Sequence, residues 1–130
     1  MKKGFTFIEL VVVITIIAVL SVAGIISYSS ATKKSRDARR ISDLEKIRMA
    51  LEMVRQTGTT YPSNANYSSV LVPNYLQALP VDPKTNLSSS YFYNQTGSGY
   101  TYILCATMED MGSTNVSTGC GGPNYKVTNP

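Results

Sequence analysis

Glu9 is the residue of this chain most in need of a chemical partner. From Phe5 to Thr32 it is the only charge, in a run of Phe, Ile, Leu, Val and Ala. A carboxylate in such a setting is costly at membrane depth unless a cation or several hydrogen-bond donors meet it. Just ahead of it stand two cations and a glycine, in Lys2-Lys3-Gly4-Phe5. The chemistry open to this cluster is charge pairing rather than bond-making. A hydrated Glu9 at the cytoplasmic rim of a membrane would account for the carboxylate. It would leave the basic leader and the glycine unexplained.

Other residues offer little catalysis. The chain has no histidine, glycine-rich phosphate loop or cluster of metal ligands, which argues against an enzyme and against a resident metal or cofactor. Glu109-Asp110 reads as an exposed acidic turn in preference to a cation site. Cys105 and Cys120 are the two cysteines; on the far side of a membrane helix an even count favours a disulfide. The alternative is two free thiols or half of a metal site. Nine tyrosines, seven of them between Tyr61 and Tyr102, suit sheet and core packing. Surface tyrosines would also serve adhesion or subunit contact. Four Asn-X-Ser/Thr triplets, at Asn66, Asn86, Asn94 and Asn115, are expected by chance in a chain this rich in Ser, Thr and Asn.

The elements that position these residues follow from patterning. Phe5 to Ile26 is about 22 residues of nearly unbroken apolar sequence, reaching roughly 33 Å as a helix, enough to cross a bilayer core. The run is too long for the apolar region of a secretory signal and its processing point lies ahead of it, so it is expected to stay with the mature protein. Ile41, Leu44, Ile47, Leu51 and Val54 then recur at steps of three and four, with Arg39, Arg40, Asp43, Lys46 and Arg55 off the stripe. Thr57-Gly58 and Pro62 stop the helix, giving one element from about Phe5 to Gln56.

Beyond it the composition turns to Ser, Thr, Asn, Gly, Pro and Tyr. A short helix or turn is expected over Ser69–Leu79, interrupted at Pro73. Strands are expected at Ser90–Tyr93, Tyr100–Thr107 and Tyr125–Val127, with Asn94–Gly99 as the intervening loop. The fold class is α+β: a long helix, half membrane-spanning and half amphipathic, packed on a small antiparallel sheet. A head this small buries a low fraction of its surface and needs the helix, a disulfide or neighbouring copies to complete it.

The net charge of +4 is unevenly placed. Eight basic residues between Lys33 and Arg55 face four acidic ones, Asp37, Asp43, Glu45 and Glu52. This basic helix reads as a solvated face with some attraction to lipid head groups. Contact with neighbouring copies, or with DNA, is the competing reading, though no aromatic residue is interleaved here. Lys2 and Lys3 place the N-terminus in the cytoplasm, against the opposing pull of Lys33, Lys34 and Arg36.

At Lys2, Lys3, Gly4, Phe5, Thr6, Glu9 and the apolar run that follows, the chain resembles the class III signal of type IV pilins and of the pseudopilins of type II secretion. The resemblance implies a leader, residues 1–4, cut between Gly4 and Phe5 by a prepilin peptidase that then methylates the Phe5 amine. That amine, with an ordinary pKa near 8, is cationic at neutral pH and would meet Glu9 of a neighbouring copy. Residues 5–32 would form the transmembrane and filament-core helix, 33–57 the amphipathic helix and 58–130 an extracytoplasmic head. The implied partners are further copies in a helical filament, the inner membrane, the peptidase, and the assembly platform with its ATPase. DNA or a surface ligand stays open. Cys105 and Cys120 resemble the disulfide-closed C-terminal loop of type IV pilins. Leu79-Pro80-Val81-Asp82-Pro83 is similar to a segment of major pseudopilins, but Lys84-Thr85-Asn86 replaces the Trp and Gly common after it, and that group's calcium site is not carried over. The implied function is a pilus subunit serving adhesion, motility or DNA uptake. The alternatives are a secretion pseudopilin, or a non-polymerising binding module on an uncleaved anchor.

Overall fold

A computed structural model of the chain describes residues 4–110, 120 and 124–129. Its elements are α1 (Phe7–Thr57), α2 (Tyr67–Leu71), β1 (Tyr91–Thr96), β2 (Thr101–Thr107) and β3 (Asn124–Thr128). The chain divides into two units, Met1–Lys33 and Lys34–Pro130.

In the first unit α1 is apolar on every side, with Phe7, Ile8, Val12, Ile16, Leu20, Val22 and Ile25 among its exposed side chains. By length and composition this helix can cross a membrane. The hydroxyls within the apolar run turn back onto the helix itself. Thr15 Oγ1 donates to the Val12 carbonyl at 2.8 Å and Ser21 Oγ to that of Ile17 at 2.7 Å. Both donors are thereby satisfied without water, as a hydrocarbon environment demands.

In the second unit, Leu44, Ile47, Ala50, Leu51 and Val54 of α1 share one core with Tyr61, Leu71, Tyr91, Tyr93, Tyr102, Leu104, Ala106, Met108 and Val127. Ile41, expected on the stripe, is only partly buried at its edge. Two residues expected off the stripe are in fact buried: Arg40 and Asp43 are each 3% exposed. With Asp37, also buried, they extend the buried face toward the N-terminus at positions 37, 40, 43, 44, 47, 51 and 54. Helical spacing holds, and the side chains change from charged to apolar along one face.

The sheet has order β1-β2-β3, all antiparallel, with Tyr93 opposite Leu104 and Leu104 opposite Val127. Alternation puts Tyr91, Tyr93, Tyr102, Leu104, Ala106 and Val127 on the core side. β1 runs to Thr96, past the expected end at Tyr93. Asn94, Gln95 and Thr96 pair with Ile103, Tyr102 and Thr101, and Asn64 Oδ1 accepts from the Gln95 amide at 2.6 Å. Pairing overrides their weak strand preference. α2 starts two residues before the expected segment and ends at Leu71, since Val72 precedes a proline and is extended. The β1–β2 connection needs left-handed backbone at Gly97, Ser98 and Gly99. Glycine is required at Gly99: a Cβ there would lie 3.0 Å from both Gln95 Nε2 and Thr60 Cβ.

Candidate functional site

The N-terminal motif opens α1, and its local geometry follows from Thr6 and Glu9 being three residues apart. The Thr6 amide donates to Glu9 Oε2 at 2.8 Å and Thr6 Oγ1 donates to the same oxygen at 2.7 Å. The Glu9 amide is 3.3 Å from Thr6 Oγ1. This is a capping box, in which the first-turn donors of a helix are met by the residue that opens it and by the carboxylate one turn in. The negative charge also sits at the positive end of the helix dipole. Phe5, Ile8, Glu9, Val12 and Val13 line one shallow groove, so Phe5 and Glu9 share a face of the chain. Phe5 is 82% exposed, and nothing lies within 4 Å of where a Gly4 Cβ would stand. Among the described residues, Glu9 Oε1 accepts no hydrogen bond. Lys2 and Lys3, the leader charges, lie outside the described residues, as does Asn115.

Cys105 and Cys120 are joined in a disulfide. Cys105 alternates with the core residues Leu104 and Ala106 and has Phe92 and Lys126 as its cross-strand neighbours. The bridge therefore sits on the side of the sheet away from the α1 stripe.

A second polar cluster went unseen in the sequence. Arg40 Nε donates to Asp82 Oδ2 at 2.5 Å and its Nη2 to Oδ1 at 3.2 Å, while Nη1 reaches Asp37 Oδ1 at 2.7 Å and Glu109 Oε1 at 3.0 Å. Arg36 makes a two-pronged bond to Glu109, both contacts 2.7 Å. Lys84 Nζ reaches Glu109 Oε2 at 3.3 Å. Asp37 accepts the backbone amides of Glu109 and Asp110, and Asp82 accepts those of Lys84 and Thr85. Glu109 is thus not the exposed acidic turn expected, because three cations converge on it. The Arg40 hydrogen bonds, aided by the two amides, hold the Asp82 carboxyl well below the usual carboxylate range against the opposing effect of burial. The Arg36 bond, with Lys84 and Arg40, holds Glu109 down to about 2. Asp82 first, with Asp37 and Glu109, pushes the Arg40 guanidinium up against the opposing effect of burial.

A third group joins α1 to the sheet. Glu52 accepts from Tyr61 Oη at 3.0 Å and Tyr102 Oη at 3.1 Å, and Asp43 accepts from Tyr91 Oη at 3.1 Å. Burial first, then Glu52, pushes the Tyr61 phenol up to about 12. These contacts fasten the helix to the head; they assemble no nucleophile and base.

Residues 1–25 match the family described as the prokaryotic N-terminal methylation motif. Two curated proteins of Dichelobacter nodosus, each described as a probable minor fimbrial protein, are 36% identical over 66 residues. That alignment covers 49% of this chain and 42% of each relative, so the chain spans less than half the length of the relatives it matches. No solved structure matches the chain significantly. The chain thus carries the N-terminal methylation motif on a long apolar helix before a three-stranded antiparallel sheet, and over about half its length it is similar to proteins described as minor fimbrial.

Proposed function

We propose that this chain is the precursor of a structural subunit of a type IV pilus. It is held in the inner membrane by the apolar half of α1, with its N-terminus cytoplasmic. A prepilin peptidase removes residues 1–4 by cutting between Gly4 and Phe5, and the freed Phe5 amine is methylated. Subunits then polymerise, with the assembly platform and its ATPase, into a helical filament at the cell surface. The observation that carries this reading is the methylation motif over residues 1–25, set on a helix whose one apolar-segment charge is Glu9.

The capping geometry supports a specific division of labour within Glu9. Its Oε2 holds the first turn of its own helix through Thr6. Its Oε1 is left to accept from the Phe5 ammonium of a neighbour. A carboxylate and an ammonium that are each costly in hydrocarbon become tolerable together. Because the contact runs from one copy to the next without closing, it propagates a filament. The exposed apolar surface from Phe7 to Ile25 would be covered by the same stacking.

The description of the relatives as fimbrial favours a pilus over the secretion pseudopilus, which is the second reading. Adhesion, motility or DNA uptake would be the downstream use. Mass spectrometry of the protein purified from cells tests the processing. A mature chain beginning at methylated Phe5 is expected, and Gly4→Leu should leave the full-length precursor in the membrane. An intact Met1 on the wild-type membrane protein would refute the reading and leave an uncleaved binding module. Sheared filaments seen by electron microscopy separate pilus from pseudopilus.

A further inference from the structure

The basic character of residues 33–55 looked in sequence like one diffuse face of eight cations. The structure divides them. Arg36 is bound to Glu109, Arg40 to Asp82 and Asp37, Lys46 to Asp43 at 2.8 Å, and Arg48 to Glu45 at 2.7 Å. Arg39 lies 4.0 Å from Asp43, and Arg55 sits over the rings of Tyr61 and Tyr100 at 5.7 and 5.3 Å. Lys33 and Lys34 are exposed and have no hydrogen bond or ion pair among the described residues. Of the eight, these two consecutive residues alone have neither an acidic nor an aromatic partner among the described residues.

Their position along α1 is informative. A helix needs about 20 residues to cross a hydrocarbon core of roughly 30 Å, so a span opening at Phe7 ends near Ile26. Tyr28 follows at once, 76% exposed, where an amphipathic ring suits the membrane–water boundary. Lys33 and Lys34 come six and seven residues after Ser27, or about 9–10 Å of helix rise. The head-group layer on each side is roughly 5–8 Å deep, and a tilted helix with lysine stems bending back brings both ammonium groups to the phosphate level.

We infer that Lys33 and Lys34 form a lipid-binding step at the extracytoplasmic end of the span, holding anionic phospholipid phosphates around the unassembled subunit. They run against the positive-inside tendency, which gives a cation on this side no benefit in insertion. Compact, strongly hydrated ammonium groups suit phosphate contacts that can be released. The step holds the subunit at a fixed depth, and that hold is exchanged for contacts with other copies when the subunit leaves the bilayer. The inference rests on the membrane-anchored precursor proposed above.

The test uses the full-length protein reconstituted into phosphatidylcholine vesicles carrying a trace of spin-labelled phosphatidylglycerol or spin-labelled phosphatidylcholine. Electron spin resonance then gives the fraction of each lipid held at the protein. Wild type should select phosphatidylglycerol, and added salt should weaken that preference. The Lys33→Gln/Lys34→Gln variant should lose it, by up to about fivefold per lysine. Lys33→Arg/Lys34→Arg should retain it, and Arg39→Gln/Lys46→Gln should leave it unchanged. Equal selectivity in wild type and the double Gln variant would overturn the inference while leaving the anchored-precursor reading intact. So would normal lipid selectivity in a Gln variant that loses only filament yield, since the lysines would then serve contacts between copies. Failure of the wild-type chain to float with vesicles would sink the anchored reading, and the inference with it.

Discussion

Arg40 offers the sharpest perturbation of the head. Arg36, Arg40 and Lys84 stand against Asp37, Asp82 and Glu109, with Arg40 touching all three carboxylates. Arg40→Met keeps the aliphatic stem and helix propensity but leaves the named pairs one cation short. Asp82, 4% exposed, retains the Lys84 and Thr85 amides at 2.9 Å and loses both guanidinium contacts. Asp37 retains two backbone donors, and Glu109 retains Arg36 and Lys84. Breaking one side of a buried pair costs about 3–5 kcal/mol, a large share of the roughly 5–15 kcal/mol that holds a small domain together. Arg39→Met is the control: that side chain is 63% exposed and 4.0 Å from its partner, so the change should cost under about 1 kcal/mol. Urea unfolding of the full chain in non-ionic micelles, followed by near-UV circular dichroism, reads the head, which holds eight of the nine tyrosines. A loss below about 1 kcal/mol for Arg40→Met would refute the view that this network clamps α1 to the segments at Asp82 and Glu109.

The remaining predictions concern pH, the bridge, the hairpin and the cap. Asp82 and Glu109 titrate lower in the folded state than the ordinary carboxylate, so their contribution is fully present above about pH 4–5 and fades as pH falls toward about 2. Acid titration of the wild-type head should show this loss, and Arg40→Met should flatten it; an unchanged acid profile would contradict the assignment. Reducing Cys105–Cys120, which closes a separation of 15 residues, should cost about 3 kcal/mol by the same unfolding assay. Gly99→Ala should destabilise by about 1–3 kcal/mol, because the left-handed backbone and two 3.0 Å approaches both oppose a side chain. Thr6→Val keeps the shape and the backbone amide bond to Glu9 but removes both hydroxyl contacts of the cap. It should lower filament yield without blocking cleavage, whereas Glu9→Ala should insert normally yet assemble poorly; wild-type yield from either would argue against the two-oxygen division of Glu9.

Much of the architecture was legible because its signals are local or strictly periodic. The apolar run to Ile26 and the stripe at Leu44, Ile47, Leu51 and Val54 specify a helix wherever the chain finds itself, and the composition shift at Gly58 marks its end. The spacing of Thr6 and Glu9 also admits a capping box, but Glu9 stood out in the sequence only as a lone charge in an apolar run. The continuation of the buried face through Asp37 and Arg40 was also present as spacing, hidden because charged residues are usually read as solvated. What tertiary structure alone decided were partnerships between distant residues. Asp82 and Glu109 lie 42 and 69 positions from Arg40, and nothing local in either segment points to that arginine. Likewise Asn94, Gln95 and Thr96 read as loop until β2 supplied their backbone partners. Residue order was enough to specify a helix with one charged address at its start. Only the folded chain determined which of its other charges are spent internally and which, at Lys33 and Lys34, are left for something else, because pairing depends on distance in space and not along the chain.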